Sequence, residues 1–406
     1  MRQLRPGRTA LPSRQPIRLP RRGRPDNVAR THGEHSTVVP SCSPKALGMQ
    51  SYRRGFCGPI KLKVWLKRGE RDASGSGMAR RCGAELRPEQ WREHSMTSTR
   101  TVFAPAATSD VDIVLHAIPT PDSRPYIIAE GPDGGLWFCE SGASKIGRFD
   151  PAERHFVEFP TPTPAAQPIG IIAGSDGNLW FCENAANRVG RITPSGVVSE
   201  FPVPTPGAGP NGIMLGPDGN LWFSETEASQ IGRITPAGAV TEFNGLTPGS
   251  RPLSIVVRDG DLWFSEYQAG RIGRMSLDGD VREYPIPTPD CEPRAMATHP
   301  DGSIWFVQTR ANGLGRIDRA GHISEFRVTT PDASLRSVAV APDGDLWFTE
   351  NFANKIGRMS PDGEVIGEYP IPVAGSGPRA IIAISDGRVF FSAYDAGAIG
   401  EVIPRR

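Results

Sequence analysis

The chain has 406 residues and is rich in Gly (46) and Pro (40), a composition suited to many short strands and turns rather than to a helical fold. Its net charge of +2 hides a division: residues 1–95 carry 21 Lys and Arg against 7 Asp and Glu, and the remaining 311 carry 25 against 37. No apolar run is long enough for a transmembrane helix, and no basic start followed by an apolar core reads as a signal peptide. A cytoplasmic protein without membrane contact is expected.

Residues 1–108 come first and stand apart. They lack helical or strand periodicity and hold runs such as Arg21-Arg22-Gly23-Arg24-Pro25. Such a segment cannot bury enough apolar surface to offset the entropy of ordering it. It reads as a disordered Arg-rich tail, either without a partner or as a nucleic-acid arm or transit peptide. It also reads as upstream text ahead of a true start at Met78 or Met96.

From Arg124 onward one unit recurs. A Pro and a short apolar run lead to Asp-Gly, then Leu-Trp-Phe-x-Glu, a polar loop, Ile-Gly-Arg, a Gly turn, and Glu-Phe/Tyr-Pro with Pro-Thr-Pro. The anchoring aromatics are Trp137, Trp180, Trp222, Trp263, Trp305, Trp347 and Phe390, which are 41–43 residues apart. A fixed period of this length marks a repeat architecture. Each unit reads as four strands. Asp-Gly makes the first hairpin turn, because Gly tolerates positive φ. Leu-Trp-Phe-x-Glu suits a sheet interior, and the Pro-bearing fourth strand suits an outer edge. The expected fold is an all-β, seven-bladed β-propeller over residues 109–406.

The two ends support a ring over a solenoid. The last copy stops after its third strand near Ile403, and Asp112–Pro121 reads as the missing outer strand with its exit loop. An N-terminal strand completing the C-terminal blade leaves no open edge. Six cysteines are present without a CxxC pair, so neither a zinc site nor a disulfide framework is indicated. Cys139 and Cys182 hold the same place in neighbouring repeats, too far apart to bridge, and a reducing compartment is the simpler reading.

The Trp-Phe-x-Glu stretches, Lys355-Ile356-Gly357-Arg358 and Glu283-Tyr284-Pro285-Ile286-Pro287-Thr288-Pro289 together resemble the virginiamycin B lyase (streptogramin lyase) family across all seven repeats. The resemblance implies ring opening of streptogramin B antibiotics by elimination, with a magnesium ion and a histidine base. It implies three places for that site, and this chain departs at each. The histidine of the sixth repeat is Arg336. The Glu-Pro-His opening of the seventh repeat is Gly377-Pro378-Arg379. The carboxylate at the end of that repeat's second strand falls at Tyr394. Arg is always protonated and cannot act as a base, and magnesium needs hard oxygen ligands. The four histidines of the repeats, His116, His155, His299 and His322, are all expected away from the mouth. No metal site is therefore expected, and magnesium belongs only to the lyase reading.

What remains is the ring of residues after each opening Pro: Tyr126, Ile169, Asn211, Leu253, Arg294, Arg336 and Arg379. Three arginines fall in the last three blades, a set able to grip carboxylate or phosphate in bidentate fashion. The candidate ligand-binding residues are Tyr126, Asn211, Arg294, Arg336, Arg379 and Tyr394. The bland alternative pairs these arginines with acids such as Glu292 and Asp395. The recurring acids Glu140, Glu183, Glu225, Glu266 and Glu350 are expected to be structural, each paired with the Arg of Ile-Gly-Arg, or that Arg stacked on Trp. The sequence thus favours a monomeric binding propeller for a small anionic or peptide-like ligand in the central channel, with no nucleic acid. A divergent lyase, a lactonase-like hydrolase using Tyr126, Tyr394 or Asp395, and a protein-interaction platform stay open.

Overall fold

The computed structural model describes residues 110–405, so the Arg-rich segment read above as a tail lies outside the described residues. Residues 110–405 form seven four-stranded antiparallel sheets. The first blade runs Pro125–Glu130, Leu136–Glu140, Lys145–Asp150 and His155–Pro160, paired in chain order. The inner strand of each blade contacts the next, from Pro125–Glu130 through Pro168–Ala173 and onward to Pro378–Ala383, which returns to Pro125–Glu130. The expected propeller is therefore a closed ring.

The closure is the expected one. Val111–Ala117 lies beside Ala398–Pro404 in the final sheet, with register from Val111 opposite Pro404 to Ala117 opposite Ala398. His116 on the closing strand bonds Glu401 at 3.1 Å.

Three residues of the repeat explain one another. The Trp-Phe strand is buried along its whole length. Its Trp stacks on the aromatic of the fourth strand, as in Trp180 with Phe201 at 5.5 Å. Its Phe lies over the Gly of Ile-Gly-Arg so closely that a Cβ on Gly190 would sit 2.2 Å from the Phe181 ring. The Gly is there because the ring occupies the space of any side chain.

The expected pairing of the strand-end Glu with the Ile-Gly-Arg arginine is not found. The register sets Arg148 opposite Trp137, three residues from Glu140. The arginine instead reaches the Asp of the Asp-Gly turn, as Arg148 to Asp133 at 2.6 Å and Arg316 to Asp301 at 2.7 Å. The alternative expectation holds in five blades: Arg191, Arg233, Arg274, Arg316 and Arg358 also lie over the Trp rings, at 5.3 Å for Arg233 and Trp222.

The strand-end Glu has another partner. Glu140, Glu183, Glu225, Glu266 and Glu350 each lie against the Glu of the fourth strand, which is Glu158, Glu200, Glu242, Glu283 and Glu368 in turn. Burial first, and then the neighbouring carboxylate, push Glu183 up to about 8. In the fifth blade Gln308 takes this place and donates to Glu325 at 2.6 Å, the bond a protonated Glu would make. The outer carboxylate is held from the preceding blade: Thr163 of Pro-Thr-Pro gives Glu200 its backbone N–H at 2.8 Å and its hydroxyl at 2.6 Å. Pro-Thr-Pro is thus a latch between blades.

Candidate functional site

Every inner strand carries a register shift directly after its opening residue, between Pro125 and Ile128 in the first blade and at the equivalent place in the other six. A bulge re-aims the side chain within it. The residue after the opening Pro sits in that bulge, at the rim of the central channel.

The channel holds a cavity of about 480 Å³ whose wall includes Tyr126, Asn211, Leu253, Arg294, Arg336 and Arg379. Five of the six candidate binding residues are therefore brought together on one wall. Ile169 of the same ring is buried instead. Tyr394 is the first residue beyond the strand Val389–Ala393, with Ala393 opposite Pro378. It supports the wall from behind. The Arg379 guanidinium lies 4.2 Å from the Tyr394 ring centre and 5.4 Å from that of Tyr126, and the two rings meet edge to face at 6.0 Å.

The arginines are held by aromatics more than by acids. Arg294 lies 4.4 Å from the Tyr267 ring and Arg336 5.9 Å from that of Phe352. Such stacking orients a guanidinium while leaving its donors available. Arg294 also has Glu292 at 3.7 Å, an acid shared with Arg310 at 3.8 Å. The expected counter-ion Glu292 thus serves only one of the three arginines of the mouth. Among the described residues no ion pair joins Arg336 or Arg379 to an acid, Asp395 included, and the Nε atoms of Arg294, Arg336 and Arg379 are buried without a hydrogen-bond partner. Burial, then the charges of Arg294 and Arg379, bring Arg336 down to about 10. It stays protonated at neutral pH, in a site with an excess of positive charge.

The four histidines lie elsewhere. His116 is in the closing strand, His155 and His322 are exposed, and His299 is bonded near the Gly344 carbonyl at 3.2 Å. None is on the cavity wall. A magnesium ion does not fit the residues present. The three places implied by the family resemblance hold Arg336, Gly377 with Arg379, and Tyr394, and the cavity wall has no carboxylate. Three guanidinium groups repel a dication, and no carboxylate on the cavity wall is there to hold it. Among the described residues no three His, Cys, Asp or Glu side chains come together as metal ligands.

Sequence reasoning missed Tyr267 and Phe352, the rings that orient Arg294 and Arg336. Tyr267 follows the second strand of the blade preceding that of Arg294, so its signal was the ring order of the blades, whereas Phe352 follows the second strand of the same blade as Arg336, whose opening residue Leu335 pairs with the strand-end Glu350.

Residues 106–258 and 256–405 match the virginiamycin B lyase family in two successive stretches. Among solved structures, a streptogramin B lyase is 35% identical with a TM-score of 0.70, over 73% of this chain and 98% of that one. Selenomethionine-substituted virginiamycin B lyase from Staphylococcus aureus is 36% identical with a TM-score of 0.69, over 72% of this chain and 99% of that one. A catalytically inactive form of the S. aureus enzyme, crystallised with quinupristin, is 35% identical with the same TM-score and coverage. No curated protein sequence matches the chain.

Proposed function

The chain belongs to the virginiamycin B lyase family, and we propose that it is a ligand-binding member without the family's known lyase site, taking a small anionic or peptide-like ligand at the arginine-bearing mouth. The observation that carries this reading is the convergence of Arg294, Arg336 and Arg379 on one cavity wall that has no acid. Concentrating three cations is costly unless an anion completes the site, and planar guanidinium groups suit carboxylate or phosphate. Asn211 and Tyr126 add neutral polar groups at the same rim. Ring opening by elimination needs a group that is deprotonated near neutral pH and within reach of the proton it removes. Arg336 and Arg379 stand where the resemblance puts histidines and supply no such group.

The test is calorimetric titration of the full chain with succinate and with inorganic phosphate. Binding of at least one is expected. Arg336→Gln or Arg379→Gln should weaken it about tenfold or more, the worth of a charge-assisted hydrogen bond. Absence of binding by both anions, or equal binding by the doubly substituted protein, would contradict the proposal.

A further inference from the structure

Below its charged rim the cavity changes character. The wall continues with Ile127, Ile172, Met214, Met296, Val340 and Ile382, and no ionisable residue lines it beneath the rim. Its few hydroxyls are already engaged: Ser254 accepts the Met296 N–H at 3.2 Å, Ser337 accepts that of Ile381 at 3.3 Å, and Thr298 donates to the Val257 carbonyl at 3.2 Å. The wall thus offers a ligand apolar surface and few free polar groups. Arg294 and Thr298, both on it, are the second and last residues of one inner strand. The apolar channel therefore runs roughly 13 Å beneath the guanidinium groups, at about 3.3 Å per strand residue.

A compact inorganic anion would satisfy the rim and leave this wall bare. A neutral apolar molecule would fill the channel and leave three guanidinium groups without an acceptor. Phe352 adds an apolar lip, being 75% exposed and beside Arg336. From this two-part wall we infer that the ligand is a single-chain amphipathic anion of the fatty-acid type, its carboxylate or phosphate head on Arg294, Arg336 and Arg379 and its hydrocarbon tail down the channel. The inference rests on the cationic mouth proposed above and goes further in assigning the channel to a tail. A pocket lined largely by apolar side chains with a few convergent polar groups is the kind that takes such a ligand.

The test titrates the full chain by calorimetry with butyrate, octanoate and decanoate below their micellar concentrations, with decanol and inorganic phosphate as controls. Affinity should rise with tail length by about fourfold per methylene, the effect of burying hydrocarbon. The binding heat capacity should become more negative along the series. Ala297→Phe, which narrows the channel below the rim, should weaken decanoate at least about tenfold and leave butyrate unchanged. Equal affinity for all three carboxylates would overturn the tail assignment while leaving the cationic mouth in place. Decanol binding as tightly as decanoate would overturn the role of the head. If phosphate and every carboxylate fail to bind, the mouth reading itself is wrong and this inference goes with it.

Discussion

A buried carboxyl is stable when it stays protonated and has an acceptor, and the blades meet that condition with a second carboxylate. Glu183 is buried, with Glu200 facing it from the fourth strand, Arg188 from the third and Cys182 beside it on its own strand. Its folded value of about 8 lies above its unfolded value of 4.5. The stability tied to its proton is therefore fully present below pH 4.5 and is lost as pH rises through about 8. By pH 8 the loss is on the order of 1 kcal/mol or more for such a group. Glu183→Gln should flatten this dependence, because Gln308 already fills the same role in the fifth blade. Thermal unfolding between pH 5 and 9 checks it: the variant should match the parent near pH 5 and exceed it at pH 9. A variant less stable at both ends would mean that Glu183 is ionised in the fold. The sequence displayed both glutamates of every pair but not their meeting. That depends on the intervening Gly: a Cβ on Gly232 would lie 2.6 Å from the Glu225 carboxyl, so only a bare Cα leaves room for two side chains to join across the strand between them.

At the scale of the strand, the same Gly is fixed by the Phe above it. Gly190→Ala would drive a methyl into the Phe181 ring, an overpacking cost of about 1–3 kcal/mol. Phe181→Leu in the same chain should recover part of the loss, so the two substitutions should be strongly non-additive. Additive losses in denaturant unfolding would show that the ring and the glycine are not coupled. The bulge is the second strand-level device. It was not readable from the repeat, because the opening Pro followed by an apolar run looks like a regular strand. Its consequence was still legible, since Tyr126, Asn211, Arg294, Arg336 and Arg379 all occupy the position after that opening residue and all reach the cavity wall. Tyr267 was harder to see, because it and Arg294 belong to different blades and meet only once the blades are set side by side.

For the whole molecule, the period of the Trp anchors and the incomplete last copy were enough to indicate seven blades and their closure, because a ring with one strand short must take it from the other end. That closing strand brings Val111, Ile113 and Leu115 into the core of the last blade. A chain beginning at residue 119 should expose the edge of Ala398–Pro404, lose cooperative unfolding near the parent midpoint and aggregate. A truncated monomer with an unchanged midpoint in calorimetry and size-exclusion chromatography would show that closure contributes little. The central claim, a family scaffold whose mouth binds an anion and lacks the lyase chemistry, is tested most directly by incubating the full chain with quinupristin and magnesium. The linear elimination product is isomeric with its ring, so it is followed by chromatographic retention and fragmentation. The account predicts no conversion above the rate without protein. Linear product at enzyme-like rates would contradict it, and would mean that a group other than a histidine or a carboxylate at the implied positions performs the elimination.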